Sequence, residues 1–193
     1  MIAVALALSV VLASAGGGDA SSLSVAANGC TRWTSETTPP RTIRVRLSFT
    51  RIVRVDFMRY TAIVVSSEFN SVHPTLRLAG ALAVKQYAWY RAMHPRPSKA
   101  GCFDVNDDTR DQIYRHHKTP PLYVWQAVEQ TWHWRMVRDG RLFQSGYRTG
   151  RKGPCGFDID RYHLFARSAA RCARLGWTAQ RLLSVYYSAR VVK

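Results

Sequence analysis

The chain has 193 residues, and 28 lysines and arginines against 12 aspartates and glutamates give it a formal net charge of +16. Its hydrophobic content of 47% and aromatic content of 11% are typical of a folded domain and exclude a disordered basic tail. A charge this high predicts an anionic partner, which narrows the partner classes to a nucleic acid, a membrane surface or an acidic polymer.

The N-terminal segment favours the last of these classes. Residues 2–12 form an apolar run, and Ala13-Ser14-Ala15 follows with the spacing of a signal-peptidase site. Residues 1–15 therefore predict a secretory signal peptide, and the run is short for a membrane span. The alternative is a buried N-terminal element of a cytosolic protein. Export predicts a secreted or extracytoplasmic protein that is not transmembrane after processing, with an envelope polymer rather than nucleic acid as its partner.

The four cysteines are Cys30, Cys102, Cys155 and Cys172. An even number of cysteines in an exported chain predicts two disulfides. No pair has C-x-x-C spacing, which disfavours a zinc ribbon or a thioredoxin-type site. Three connectivities remain open, and free buried thiols are the alternative.

Residues 16–40 are rich in glycine, serine, threonine and proline. This composition predicts a flexible linker, and the folded domain is then expected over residues 41–190. The domain begins with a run in which Ile43, Val45 and Leu47 alternate with polar residues, the period of a half-buried strand. Residues 51–55 predict a second strand.

The rest of the domain is predicted to be mainly helical. Asp56 is placed to cap a helix over residues 57–69, and Pro74 suits the first turn of an alanine-rich helix over residues 74–94. Asp139-Gly140 is a favoured hairpin turn. The remaining predicted elements are a strand–loop–strand at 102–115, a helix at 122–134, a basic amphipathic helix at 161–177 and a short helix after Thr178. Together they predict a single α+β domain, in which a small mixed or antiparallel sheet packs against a central alanine-rich helix and C-terminal helices.

Glu68 is the main candidate for catalysis. It is one of only three glutamates, and it stands at the end of an apolar helix on the same face as Tyr60 and Val64. A carboxyl group beside Val65 and Phe69 loses hydration, which favours its protonated form. Such a group can protonate a leaving oxygen and then act as a base, as glycosidic bond cleavage requires. The alternative is a solvated carboxylate, or one paired with an arginine.

A metal site is not predicted. Asp104, Asn106 and Asp108 imitate the first ligands of an EF-hand, but Thr109 replaces the turn glycine and Arg115 replaces the closing glutamate. An Asx-rich turn explains the segment equally well. The six histidines show no H-E-x-x-H or H-x-H spacing. We expect neither a metal nor another cofactor.

An ordered set of motifs resembles the domain of stage II sporulation protein D, a family that includes the amidase-enhancer proteins. The resemblance covers about residues 43–187. Its strongest parts are "VSSEF" (65–69), "ALAVKQYA" (81–88), "DTRDQIY" (108–114), "AVEQTW" (127–132) and "LGWTAQRLLSVYY" (175–187). Family members that bind zinc carry cysteine and histidine in the loop where this chain has Asn106, Arg110 and Asp111, so the resemblance implies no metal here.

The resemblance implies lytic transglycosylase activity on peptidoglycan, with Glu68 as the acid/base. The expected reaction cleaves the bond between N-acetylmuramic acid and N-acetylglucosamine and leaves a 1,6-anhydro product. Lys85, Gln86, Gln112 and Tyr147 are the candidates for binding the glycan strand. The alternative is a non-catalytic peptidoglycan-binding protein that recruits or stimulates a cell-wall amidase.

Overall fold

The structure is a computed structural model that describes residues 22–48, 50–70 and 72–193. The predicted signal peptide and residues 16–21 of the predicted linker lie outside the described residues. The described chain contains five helices and twelve short strands in one compact domain. This architecture confirms the predicted α+β class.

The helices are arranged around one of their number. They are α1 (Phe57–Glu68), α2 (Pro74–Met93), α3 (Leu122–Thr131), α4 (Ala166–Arg174) and α5 (Ala179–Tyr187). The central helix is α2, which contacts the other four. Its many alanines are buried, and their small side chains let the neighbouring helices approach closely. Asp56 caps α1 by accepting a hydrogen bond from the Arg59 N–H at 2.8 Å, as the sequence predicts.

Short strands cover this helical core. They are β1 (Leu23–Val25), β2 (Thr31–Trp33), β3 (Thr42–Ser48), β4 (Arg51–Asp56), β5 (Arg96–Ser98), β6 (Gly101–Phe103), β7 (Val105–Asn106), β8 (Arg135–Arg138), β9 (Arg141–Leu142), β10 (Gly146–Arg148), β11 (His163–Phe165) and β12 (Arg190–Val192). They form five small sheets, of which β4-β3-β7 is mixed: β3 pairs antiparallel with β4 and parallel with β7. Ile43 and Val45 of β3 point into the core and are fully buried, as their alternation predicts.

Residues 22–40 belong to the domain and are not a flexible linker. Strands β1 and β2 form an antiparallel hairpin, and Trp33 is buried beneath it. The indole of Trp33 donates to the Thr38 carbonyl at 2.7 Å, and the indole of Trp89 in α2 donates to the Ser35 carbonyl at 2.9 Å. The amino-acid composition of the segment predicts a linker, because one tryptophan hardly changes the composition. In the structure that one residue, Trp33, fixes the segment to the core.

Two disulfides fasten peripheral segments, as the cysteine count predicts. Cys30 pairs with Cys102, which ties the N-terminal hairpin to β6. Cys155 pairs with Cys172, which ties the loop before β11 to α4. The pairing resolves the connectivity that the sequence leaves open. Disulfides of this kind are typical of proteins that fold in oxidising compartments.

Three further predicted elements differ from the observed ones. The helix predicted over residues 122–134 ends at Thr131. The helix predicted over residues 161–177 spans only Ala166–Arg174, because residues 163–165 form β11 and pair in parallel with β10. The second strand predicted within residues 102–115 is absent: after β7 the described chain runs as a loop to residue 121. In the described part of the chain, no helix is both long enough and apolar enough to cross a bilayer.

Lys85 of α2 is a core residue, contrary to the expectation that it binds substrate. Its side chain is 1% exposed, and Nζ donates to the carbonyl oxygens of Thr131, Trp132 and Trp134 at 2.8, 2.5 and 2.5 Å. Burial lowers the pKa of Lys85 to about 7, whereas three carbonyl acceptors stabilise the ammonium form. The lysine thus satisfies the carbonyls that are left free where α3 ends.

We expect Lys85→Met to destabilise the fold strongly, because it leaves three carbonyl oxygens without their donor. The free energy of unfolding, measured by chemical denaturation, should fall by about 3 kcal/mol or more. Lys99→Met is the control, because Lys99 is exposed on a turn, and it should change stability by less than about 0.5 kcal/mol. Equal effects of the two substitutions would contradict the role given to Lys85.

Candidate functional site

Glu68 is the last residue of α1, and its side chain is half-buried. Its Oε1 accepts a hydrogen bond from the backbone N–H of Ile113 at 2.9 Å and one from the Tyr147 hydroxyl at 3.1 Å. Within the described residues, Oε2 has no hydrogen bond. The carboxyl group is therefore held by one oxygen and can present the other to a ligand.

Glu68 borders an open cleft of about 260 Å³. Phe69, Asp111, Tyr147 and Arg148 are among the other residues that line it. The cleft adjoins a larger hollow of about 600 Å³, and the two share Asp111, Tyr147 and Arg148. Glu68 therefore borders a cleft that adjoins a larger hollow.

Close packing between two helices fixes the position of Glu68. Phe69, the next residue, is 1% exposed, and its ring lies against Gly80 of α2. A Cβ atom at position 80 would approach the Phe69 ring to 2.6 Å, so only glycine fits there. The ring of Tyr147 meets the Phe69 ring edge-on, with centroids 5.1 Å apart. The contact therefore anchors both Glu68 and the residue that donates to it.

A buried hydrogen-bond network lies close to Tyr147. Gln112 is 1% exposed; its Oε1 accepts from the Tyr60 hydroxyl at 2.9 Å, and its Nε2 donates to the Val84 carbonyl at 3.1 Å. Gln112 also lies close enough to Tyr147 to affect the pKa of its hydroxyl, which it lowers slightly. Burial, together with the charge of Glu68, raises the pKa of Tyr147 well above its ordinary value. The Tyr147 hydroxyl therefore keeps its proton and serves as a donor.

The loop after β7 is held in place by Asp111, which is a structural residue although it faces the cleft. Its carboxylate accepts from the Asn106 backbone N–H at 2.7 Å and from the Tyr87 hydroxyl at 2.6 Å, and it forms an ion pair with Arg96. These bonds fix the loop two residues before Ile113. In the part of the chain that the structure describes, they also leave Glu68 as the carboxyl group of the cleft that has no ion-pair partner.

The EF-hand-like aspartates are occupied by arginines. Asp104 forms an ion pair with Arg44 at 2.6 Å, and Asp108 forms one with Arg110 at 2.6 Å. The segment is thus an Asx-rich turn whose carboxylates bond to the protein itself. Among residues 22–48, 50–70 and 72–193, no group of three or more histidine, cysteine, aspartate or glutamate side chains is arranged to hold a metal ion.

The structure brings together some of the predicted site residues and separates others. Glu68 and Tyr147 are in direct contact, and Gln112 lies one layer behind them. Gln86 is fully buried; it accepts from the Met136 N–H at 2.6 Å and donates to the Phe143 carbonyl at 3.1 Å. Gln86 and Lys85 are therefore structural residues, and neither lines the cleft at Glu68.

Two contributors to the site were not predicted. Ile113 acts through its backbone N–H, so its side-chain type carries no signal in the sequence. Arg148 is exposed and lines both the cleft and the larger hollow. Its position directly after Tyr147 could have indicated it, but among so many arginines no single one stands out.

We expect Gly80→Ala to destabilise the domain, although alanine normally favours a helix. The new methyl group must displace the Phe69 ring, and this overpacking should cost more than the gain in helix propensity of about 1 kcal/mol. The measurement is the free energy of unfolding of Gly80→Ala, Phe69→Leu and the double variant. The smaller leucine should make the two changes less than additive. A more stable Gly80→Ala protein would contradict this account.

The geometry places Glu68 at a groove but does not by itself assign the chain to a family. Comparison of the chain with models of known protein families and with curated proteins found no match. The resemblance to the stage II sporulation protein D domain therefore depends on the sequence motifs, and membership of that family stays a prediction.

Proposed function

We propose that the protein is a lytic transglycosylase that cleaves peptidoglycan strands, with Glu68 as its acid/base. The observation that carries the proposal is the position of Glu68: its Oε1 is held by the Ile113 N–H and the Tyr147 hydroxyl, and its carboxyl group borders an open cleft. The sequence motifs around Glu68, Gln112 and Tyr187 support the same assignment, because they resemble those of the stage II sporulation protein D domain.

In the proposed reaction, one carboxyl group acts twice. Protonated Glu68 gives its proton to the oxygen that links N-acetylmuramic acid to N-acetylglucosamine, and the bond from C1 to this oxygen breaks. The C6 hydroxyl of the muramic acid residue then closes onto C1, and its proton passes to Glu68. A 1,6-anhydro ring forms, the N-acetylglucosamine end leaves as an alcohol, and the carboxyl group regains its initial state.

This reaction suits a cleft with one free carboxyl group. Hydrolytic glycosidases use a second carboxylate to activate water or to attack the sugar. Asp111 is the other carboxylate that lines the cleft, but its ion pair with Arg96 and its hydrogen bonds occupy it. In the proposed reaction the attacking group is the C6 hydroxyl of the same sugar, which requires no second carboxylate to activate water or to attack the sugar. The arrangement therefore favours ring closure over hydrolysis.

Positioning of the carboxyl group is the proposed role of Tyr147 and Ile113. Their two hydrogen bonds reach the same oxygen, Oε1, so they orient the carboxyl plane and leave Oε2 for proton transfer. Because the Phe69 ring packs against the Tyr147 ring, the geometry is set before substrate arrives. Such preorganisation is how a small site gains catalytic rate.

A non-catalytic peptidoglycan-binding protein that enhances a cell-wall amidase is the second candidate. The strongly basic composition favours it, because a net charge of +16 suits adhesion to an anionic envelope without any chemistry. Both functions require location outside the cytoplasm at the cell wall, in keeping with the two disulfides. They differ in whether glycan strands acquire new anhydro ends.

We expect the purified protein to release anhydro-muropeptides or anhydro-ended chains from glycan strands, and Glu68→Gln to abolish this release. The amide cannot donate or accept the proton, so the rate should fall by about a thousandfold or more. Mass spectrometry of the digested strands measures the products.

Glu129→Gln is the control for this experiment, because Glu129 is exposed on α3 and lies outside the cleft. It should leave the product yield unchanged. Co-sedimentation with the wall without new chain ends, equal for wild type and Glu68→Gln, would instead establish the binding function.

We expect Tyr147→Phe to reduce kcat by about ten- to a hundredfold, because the hydrogen bond that orients the Glu68 carboxyl group is lost. The KM should change by less than about twofold, since the ring and its packing remain. Tyr123→Phe is the matched control: its hydroxyl bonds to Asn70 at the surface, and its removal should leave kcat unchanged. A rise in KM with an unaltered kcat would show that Tyr147 binds substrate and does not position Glu68.

A further inference from the structure

We infer that the groove beyond Glu68 recognises carboxylate groups carried along the glycan strand, through three arginines that each lack a carboxylate partner among the described residues. We call this groove the arginine trench and define it by Arg148, Arg138 and Arg32. The inference rests on the proposed function, because it names what the strand must carry to fill the groove that starts at Glu68.

The trench consists of three hollows in a row. The cleft at Glu68 shares Asp111, Tyr147 and Arg148 with the middle hollow of about 600 Å³. The middle hollow in turn shares Phe143 and Gln144 with an outer hollow of about 450 Å³. The shared residues place the three hollows next to one another along the surface, an arrangement that suits a polymer better than a small molecule.

One arginine in each hollow has no carboxylate within ion-pair distance among the described residues. Arg148 is exposed beside the Glu68 cleft. Arg138 lines the middle hollow; its Nη2 donates to the carbonyls of Arg161 and Tyr187, and its buried Nε has no partner within the described chain. Arg32 lines the outer hollow, and its Nε donates to the Ser24 hydroxyl at 2.9 Å. Carbonyl and hydroxyl partners leave the positive charge of each guanidinium uncompensated.

The carboxylates that border the trench beyond Glu68 are already bound. Asp111 forms its ion pair with Arg96, and Glu36 accepts from the Leu142 N–H at 2.9 Å and from Arg141 at 3.3 Å. They therefore cannot neutralise Arg148, Arg138 or Arg32. The trench keeps a net positive charge, which is complementary to a strand that carries carboxylates at intervals.

Aromatic rings between the arginines suit the sugar part of the same ligand. The Arg138 guanidinium lies over the Phe143 ring at 4.4 Å and near the Tyr162 ring at 5.4 Å, which fixes its plane. Tyr162 is 60% exposed, so much of its ring is open to a ligand. Flat rings with charged groups beside them can contact the apolar faces of sugars while the arginines bind their acidic substituents.

Peptidoglycan offers such carboxylates from two sources. A muramic acid residue without a peptide has a free lactyl carboxylate close to the sugar ring. A residue with a stem peptide has lost that carboxylate to an amide bond and carries carboxylates further out on the peptide. Both sources present the same chemistry to a guanidinium, so the choice between them belongs to the experiment.

The test measures binding, so that it does not depend on catalysis. The full chain with Glu68→Gln is titrated calorimetrically with three strand preparations of equal length: peptide-free strands, peptide-bearing strands, and peptide-free strands whose carboxyl groups have been converted to methylamides. Arg148→Gln and Arg32→Gln are added to the Glu68→Gln chain one at a time. Arg51→Gln is the charge-matched control, because Arg51 is exposed on β4 and lies outside all three hollows.

We expect strands with free carboxylates to bind at least about fivefold more tightly than the methylamide strands, since each exposed ion pair contributes modestly. Arg148→Gln and Arg32→Gln should each weaken binding of the carboxylate strands by about two- to fivefold and leave binding of the methylamide strands unchanged. Tighter binding of peptide-free strands assigns the lactyl carboxylate as the ligand, and tighter binding of peptide-bearing strands assigns the stem peptide.

Equal affinity for carboxylate and methylamide strands would overturn the inference, and so would an equal loss of affinity in Arg51→Gln. These outcomes are separate from those that test catalysis. A wild-type protein that binds carboxylate strands selectively but forms no anhydro ends would refute the transglycosylase and leave the trench intact. Cleavage that proceeds equally on methylamide strands would keep the enzyme and remove the trench.

Discussion

The contact between the Phe69 ring and Gly80 is the constraint on which the site depends. It joins the end of α1 to the middle of α2, and it leaves no room for a side chain at position 80. Because Tyr147 packs on the other edge of the same ring, one aromatic side chain sets the distance between Glu68 and its donor. The close-packed, alanine-rich face of α2 thus serves the site as well as the core.

The elements with a regular period could be predicted from the sequence, and those fixed by distant contacts could not. The limits of α1 and α2 follow from Asp56, Pro74 and the spacing of apolar residues. All three are local features of the sequence and need no contact with distant residues. Strand β11 replaces the start of a predicted helix because residues 163–165 pair with β10. The N-terminal hairpin similarly depends on a tryptophan and a disulfide, whose partners lie far along the chain.

The same distinction applies to the site. Glu68 stood out because an acidic residue at the end of an apolar helix is unusual, and Tyr147 came from the motif resemblance. The same resemblance predicts Lys85 and Gln86 in the groove, because both stand in its motif "ALAVKQYA". In the structure both bond to backbone groups of the segment that follows α3. A buried polar residue that satisfies backbone groups cannot be distinguished by sequence from one that meets a ligand.

The disulfide between Cys155 and Cys172 gives the groove a dependence on compartment. The loop that it secures connects β10, which ends with Arg148, to β11, which begins at His163 beside Tyr162. Arg148 and Tyr162, which line the groove, stand at the two ends of this loop. The loop is secured only once the disulfide has formed. We expect reduction of this disulfide to loosen the loop and with it the positions of Arg148 and Tyr162, so that the shape of the groove depends on the oxidising conditions in which disulfides form.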